Sequence, residues 1–449
     1  LITYFQNIRG IYMKLFGTDG IRGKGNVLLT PALSFKVGAF LGQYLKSNNI
    51  VLAQDTRRSG PVILNSLVAG ILSSGGNATV LGVAPTPALA YICKKHNFDY
   101  GIMISASHNP FADNGVKIFD TNGFKISETI EEAIEKYIAS NEELPLKTGK
   151  EIGVLNDNKA LLSEYVTYVR EAYRDTLDLH LLVDGANGSA SSVIEDILAG
   201  LKLKATIKHI TPDGININEN CGSTHLANLQ EEIKDNPGKY DLGVAFDGDA
   251  DRVLFVGANG EEFDGDYVLY LLGKHYKKIG ILKDDTVVIT VMANYGLNAA
   301  FNALNIKMAV TGVGDKYVQR EMVANDYLIG GEQSGHTIFN GFIKTGDGIY
   351  TLMKVLDVLA AEKTTFSEYT KEFKKYPQCL LNIKVSDKNK AMNDPLLLAE
   401  VKKIEQELGG HGRVLVRASG TEQLVRVMVE AMTNEEALNA AHHLATFVK

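Results

Sequence analysis

From residue 30 onward the apolar positions of this chain keep exchanging two rhythms, helical spacing and short unbroken runs. Thr30 and Pro31 supply an N-cap and a first helical position, and Leu33, Val37, Phe40, Leu41, Tyr44 and Leu45 then fall on one helix face. "IVLAQD" (50–55) reads as a buried strand, and "PVILNSLVAGILSSGG" (61–76) as a helix with Pro at its start and Gly past its end. "ATVLGV" (78–83) reads as a strand, "TPALAYICKKHN" (86–97) as a helix, and Ile102–Ile104 as another strand. The alternation restarts at "HLLVDGANGSASSVIEDIL" (180–198) and at "DTVVITVMANYGLNAAFNAL" (285–304), each a strand leading through a small polar turn into a helix. Three α/β units follow, without a strict sequence repeat.

After the helical "DGIYTLMKVLDVLAA" (347–361) and the basic "KEFKKYP" (371–377) the character changes. Alternating "LLNIKV" (380–385), a helix from Asp394, strands "RVLVRAS" (413–419) and "VRVMVE" (425–430), and a helix capped by Thr433 and Glu436 predict a smaller α+β domain. The expected domains are 1–154, 155–257, 258–375 and 376–449, with Tyr376–Pro377 as the hinge of a covering C-terminal domain. Met13 is the expected natural start, with residues 1–12 an extension.

Length and charge narrow the function classes. A chain of 449 residues makes several domains, and a formal charge of -7 gives no overall electrostatic footprint for nucleic acid. Three cysteines, Cys93, Cys221 and Cys379, are too few and too scattered for a disulfide framework or a tetrahedral zinc site, which fits a reducing cytosol. No run approaches the roughly 18 consecutive apolar residues of a membrane span.

Four stretches carry chemistry. "GIMISASHNPFADNGVK" (101–117) ends an apolar strand in two serines, a histidine and Asn-Pro. Such residues also build ordinary turns, but a serine at the C-terminal end of a strand in an open α/β sheet stands where ligands usually bind. "DLGVAFDGDADRVLFV" (241–256) sets Asp247, Asp249 and Asp251 between two apolar runs. In an extended segment alternate side chains share a side, so three carboxylates at this spacing converge on one hard cation. A calcium-binding EF-hand fails here, since Arg252 and Ala258 occupy its obligatory Gly and Glu positions. A phosphatase with Asp247 as nucleophile stays open, as does a non-catalytic phosphosugar-binding protein.

Three carboxylates leave positions on Mg²⁺ for phosphate oxygens. "VRASGTEQLVRVM" (416–428) supplies Arg417, Ser419, Thr421 and Arg426 around Gly420, an anion cradle of guanidinium, hydroxyl and loop amide. "GGEQSGH" (330–336) offers a carboxylate, a hydroxyl and an imidazole suited to sugar hydroxyls. "FGTDGIRG" (16–23) and "DTRRSG" (55–60) each put arginine in a Gly-containing turn. By default these are structural turns, whose arginines could also offset the charge of a nearby phosphate. No phosphate-binding GxxxxGK[ST] loop is present, and "VDGANG" is too short for a dinucleotide fingerprint, so no bound nucleotide is expected.

In this order, "SASHNP", "DGDADR", "GGEQSGH" and "RASGTEQLVRVM" closely resemble the α-D-phosphohexomutase superfamily. "FGTDGIRG", "GEQSG" and "PDGININENCGST" (212–224) resemble its amino-sugar branch rather than its phosphomannomutase or phosphoglucomutase branches, whose activities remain the alternative. The resemblance implies four domains, three related α/β domains with mixed sheets plus a smaller C-terminal one, around a central cleft. It implies a cytoplasmic isomerase that interconverts glucosamine 6-phosphate and glucosamine 1-phosphate on the route to UDP-N-acetylglucosamine and peptidoglycan. A sugar 1,6-bisphosphate is the implied intermediate. Ser107 would be the phosphorylated serine, and Asp247, Asp249 and Asp251 would hold Mg²⁺ together with its phosphate.

By the same resemblance Glu332 and Ser334 would take sugar hydroxyls, and Arg417, Ser419, Gly420, Thr421 and Arg426 the resident phosphate. Arg22, His108, Lys117, Arg252, Lys316 and His336 would lie near the reacting groups, with Lys117, His336 and His108 as acid/base candidates. Gln423 stands where the family commonly has proline, and Lys316 where arginine is frequent, which keeps charge but loses a fork. Neither nucleic acid nor membrane is an expected partner, and a homodimer is admitted.

Overall fold

The computed structural model describes residues 14–17, 19–44, 48–140, 142, 144–174, 177–419 and 423–448. The expected extension and Met13 lie outside them. Two compact units are present, Leu1–Val291 with Met308–Thr370, and Met292–Lys307 with Lys371–Lys449.

The larger unit holds three mixed sheets. The first comprises β1 (Phe16–Gly17), β2 (Gly20–Lys24), β3 (Asn49–Gln54), β4 (Asn77–Val83), β5 (Tyr100–Ile104), β6 (Asp113–Asp120) and β7 (Leu155–Asp157), in the order β1-β2-β6-β5-β3-β4-β7. β3 lies parallel to β4 and β5, whereas β5 and β6 are antiparallel. The apolar run Ile50–Ala53 is wholly buried, and helices Pro31–Tyr44 and Gly60–Ser73 turn Leu33, Val37, Leu41, Ile63, Leu67 and Ile71 into one core with Ile50 and Leu52. Each such side chain contributes about 1.5–3 kcal/mol by leaving water.

The second sheet comprises β8 (His180–Asp184), β9 (Lys204–Lys208), β10 (Leu242–Phe246), β11 (Val253–Gly257) and β12 (Glu262–Phe263), in the order β12-β11-β10-β8-β9. β8 runs parallel to β9 and β10, while β10 and β11 are antiparallel. The third comprises β13 (Thr286–Thr290), β14 (Lys307–Thr311), β15 (Ile329–Gly331) and β16 (Thr337–Phe339), in the order β14-β13-β15-β16. β13 and β15 are parallel, β15 and β16 antiparallel. The kinship that the sequence hid is therefore visible in topology. In each sheet one parallel strand turns back through an antiparallel neighbour, β5–β6, β10–β11 and β15–β16. The three connecting loops are the serine, aspartate and "GGEQSGH" stretches.

The smaller unit is an antiparallel sheet of β17 (Gln378–Lys384), β18 (Arg413–Ala418) and β19 (Leu424–Glu430), in the order β17-β19-β18, with helices Pro395–Glu407 and Asn434–Ala445. Asp394 caps the first helix, and Thr433 with Glu436 forms a capping box on the second, as the sequence predicts. The helix Tyr295–Ala303, read from sequence as following β13, joins this unit. Fully buried Glu430 accepts from Asn294 Nδ2 and Tyr295 N, both at 3.0 Å, and pairs with Arg413 at 2.7 Å. A carboxylate at a helix N-terminus is favoured by the helix dipole. No helix among the described residues is long and apolar enough to cross a membrane.

Candidate active site

Past Ile104 the chain leaves β5, and Ser107 lies fully buried with φ at 51°. A non-glycine residue held there costs about 1–3 kcal/mol, so the surroundings must over-determine it. Ser107 Oγ donates to Asp247 Oδ2 at 2.5 Å, and His108 Nδ1 stands 3.4 Å from Ser107 Oγ.

Asp247, Asp249 and Asp251 are all buried and present carboxylate oxygens within 4.8 Å of one another. Their convergence does not come from an extended segment, as the spacing suggests. Residues 247–252 form a turn in which Ala250 adopts φ 58° and its amide donates to Asp247 O at 3.1 Å. The reason is crowding: a Cβ on Gly248 would lie 2.4 Å from Ser107 O, so the serine loop packs directly on the turn. Burial, then Asp251 and Asp249, push the Asp247 carboxyl well above the usual carboxylate range. Asp249 Oδ1 and Asp251 Oδ1 are buried without a hydrogen-bond partner. Unsatisfied buried carboxylate oxygens beside a serine hydroxyl are the donor set of a hard divalent cation such as Mg²⁺.

Cations ring this centre. Lys117, on β6, is buried with its ammonium 2.7 Å from Asp249, 3.3 Å from Asp251 and 3.1 Å from Asp19. Burial opposes its charge, but Asp19, Asp249 and Asp251 outweigh burial and hold its pKa well above that of ordinary lysine. Burial likewise opposes the Asp249 carboxylate, yet Lys117 and the Thr86 hydroxyl hold its pKa down to about 2. Arg22 pairs with Asp19, and Lys125 bridges Asp19 and Asp315 at 2.5 and 2.6 Å.

Arg252 donates its amide to Asp247 at 3.3 Å and sets Nη1 3.3 Å from His108 Nδ1. Burial, then Arg252 and Arg22, lower the His108 pKa to about 4, so the ring is neutral at neutral pH. His336 is buried with Nε2 3.9 Å from Asp251 and 3.8 Å from Asp315, and its Nδ1 is buried without a hydrogen-bond partner.

Ser107, His108, Lys117, Arg22, Arg252, His336 and the three aspartates are thus connected through direct contacts. Other sequence-predicted residues are engaged differently. Glu332 accepts from Gly314 N at 3.1 Å, and Ser334 is exposed in the turn between β15 and β16. Lys316 reaches the exposed carboxylate of Glu128 at 3.2 Å. In the smaller unit Arg417 and Arg426 are direct cross-strand partners, and burial followed by the Arg426 charge lowers the Arg417 pKa. Lys388 Nζ donates to Ser419 O at 2.8 Å, and Gln423 Nε2 to Ser386 O at 2.9 Å. Gly420 and Thr421 lie outside the described residues.

Sequence reasoning missed Asp19, Thr86, Lys125 and Asp315, single polar residues that no spacing brings together. It also scattered the cysteines, whereas buried Cys221 comes within 4.8 Å of Asp184 and His209. Asp184 Oδ1 accepts from Ala186 N at 2.8 Å and faces His209 Nδ1 at 3.0 Å, while Oδ2 accepts from Gly222 N at 2.9 Å. That carboxylate is a loop brace.

Three α/β domains, a small antiparallel domain and a buried serine on a carboxylate cluster define the phosphohexomutase class of protein. The chain belongs to the phosphoglucomutase/phosphomannomutase family, matching its alpha/beta/alpha domains I, II and III over residues 13–145, 163–260 and 264–376 and its C-terminal domain over 380–446. The phosphoglucosamine mutase of Lachnospira eligens is 46% identical over 431 residues, 94% of this chain and 95% of that one. The phosphoglucosamine mutase of Lachnoclostridium phytofermentans is 44% identical over 441 residues, 97% and 98% of the two chains. A solved phosphoglucomutase/phosphomannomutase family protein from Burkholderia thailandensis shares the fold, with a TM-score of 0.80 at 20% identity over 96% of this chain and 98% of that one.

Proposed function

We infer that the chain is a phosphoglucosamine mutase, an isomerase that interconverts glucosamine 6-phosphate and glucosamine 1-phosphate for cytoplasmic amino-sugar and cell-wall synthesis. The observation that carries the reaction class is Ser107 Oγ lying 2.5 Å from Asp247 beside the unsatisfied oxygens of Asp249 and Asp251. The choice of sugar rests on the full-length bacterial relatives.

Ser107 carries the phosphoryl group. Asp247, Asp249 and Asp251 would hold Mg²⁺, which would supply charge neutralisation for a phosphoryl in transit. The P–O bond to Ser107 breaks as a P–O bond forms to the sugar's free hydroxyl, whose proton passes to a base, and Ser107 regains a proton. The product is a 1,6-bisphosphate. It turns over and returns its other phosphoryl group to Ser107. Such transfer depends mainly on in-line placement and electrostatics.

Lys117, kept protonated by its carboxylate neighbours, suits a fixed positive charge beside the aspartates better than proton exchange, which favours a pKa near neutrality. His336, with an unpartnered ring nitrogen, suits uptake from the hydroxyl. Arg22, His108 and Arg252 stabilise charge around the serine. Glu332, Ser334 and Lys316 are assigned to the sugar, and Arg417, Ser419, Gly420, Thr421 and Arg426 to the resident phosphate.

The test is intact-mass analysis of the protein together with kcat/KM for glucosamine, glucose and mannose phosphates. One acid-stable phosphoryl group and a preference for the amino sugar are expected. An acid-labile acyl phosphate would transfer the chemistry to Asp247, and equal use of all three sugars would remove the assigned specificity.

A further inference from the structure

Two sequence motifs remain unused by the reaction, "DTRRSG" in the first α/β domain and "PDGININENCGST" in the second, and they meet at the serine loop. Arg57 is 1% exposed and spends every guanidinium N–H inside the protein. Nε pairs with Asp55 at 2.8 Å, Nη1 donates to Pro110 O and to Asp113 O, and Nη2 donates to Ser107 O and Asn109 O, both at 2.8 Å. A guanidinium has five donors, so none is left for a phosphate. Asn218 approaches from the other side, its Nδ2 donating to the same two carbonyls, Ser107 O at 2.9 Å and Asn109 O at 3.1 Å.

The serine amide is held as well. Ser107 N donates to Ser105 Oγ at 2.9 Å, and that hydroxyl donates to Asp55 Oδ2 at 2.7 Å, the oxygen that also binds Arg57. Both peptide groups of the left-handed serine are thereby tied to buried side chains, and only its χ1 is left to aim Oγ. Asn218 belongs to the loop that follows β9, and the Ser107 carbonyl it grips is the one that presses on Gly248 of the aspartate turn.

The geometry points to Asn218 and Arg57 as positioning residues that lock the Ser107 backbone from two domains and so fix its Oγ against the aspartate turn. The inference deepens the mutase reading and rests on Ser107 as phosphoryl carrier. A serine that must give and take a phosphoryl group at two ends of a sugar needs one orientation for both transfers, because in-line geometry is lost with small displacements. A clamp made by the second domain ties that orientation to the carboxylates on the same domain.

The test is Asn218→Gly, which keeps the left-handed backbone that Asn218 adopts at φ 59° while removing the amide, with Arg57→Lys as the second variant. Phosphoserine occupancy is measured by intact mass, discharge of the phosphoenzyme by hexose phosphate in a single turnover, and kcat and KM at steady state. Discharge and kcat are expected to fall about tenfold or more in both variants, with KM within about threefold, as befits a lost orientation effect. Wild-type discharge rates in a variant with a lowered melting temperature would overturn the inference and leave a purely structural brace. An unfolded Asn218→Gly protein would overturn it too, since the amide would then hold the fold rather than aim the serine. If the wild-type protein itself never carried phosphoserine, the mutase reading would fail instead.

Discussion

The serine centre and the C-terminal strand ends are both proposed to meet an anion, and they are built oppositely. Around Ser107 the buried cations have counter-charges in place: Lys117 on Asp249, Lys125 on Asp19 and Asp315, Arg57 on Asp55. At the ends of β18 and β19 two guanidinium groups, Arg417 and Arg426, sit side by side across the strands. Among the described residues no carboxylate pairs with Arg417, and like charges directly opposite in a sheet destabilise it. The first region is preorganised, and under the proposed function it would cost little to reorganise during transfer. The second places two positive charges together, which under the proposed function suits it to grip the substrate's phosphate.

The comparison breaks most decisively at the nucleophile. Ser107→Ala is expected to lower kcat by roughly 10^4-fold or more with an unchanged circular dichroism spectrum, the scale of losing a covalent catalyst. Near-normal turnover in the coupled assay would dissolve the contrast altogether. Next, Asp249→Asn should reduce kcat by roughly 10^2–10^3-fold, comparable to removing one transition-state stabiliser, and weaken Mg²⁺ binding by calorimetry. Unaltered Mg²⁺ affinity would show that the orphaned oxygens serve another purpose.

A grip and a reaction centre should also separate kinetically. Arg417→Ala is expected to raise KM for the hexose phosphate by about 10–100-fold, the worth of a charge-assisted hydrogen bond or two, with a smaller change in kcat. Loss confined to kcat would erase the distinction.

The smallest effect concerns the Asp184–His209 brace at the end of β8. The contact with Asp184, opposed by burial, raises the His209 pKa. Its ionic contribution is therefore complete below the ordinary imidazole pKa of about 6.5 and is lost as pH rises through the higher folded value. His209→Asn, tolerant of the left-handed φ of 52°, should flatten the decline of melting temperature from about pH 6 to 8. An unchanged profile would remove the ion pair from the account.

Much of this was legible in the chain. Short apolar runs bounded by caps specify β3, β5, β8, β10 and β13, and their buried faces follow from period and composition alone. Ser107 and the three aspartates were legible because chemistry demands several polar groups in a row, which apolar flanks make conspicuous. Arg57 was legible only as an arginine. Whether it meets a phosphate or five internal acceptors depends on Asp55 and on the 107–113 backbone, residues that are neighbours only after β3 and β5 pair. The same holds for Lys117, whose charge is fixed by Asp19 from the first sheet and by Asp249 and Asp251 from the second.

By itself the sequence determined the kinds of element, their order and the inventory of reactive groups, since propensity, capping and hydrophobic period act over a few residues. Tertiary structure alone decided the turn that gathers the aspartates, the membership of helix Tyr295–Ala303 in the C-terminal unit, and the two-sided hold on Ser107. Those outcomes depend on close approach and on charges taken out of water, and both are set by residues far apart in the chain.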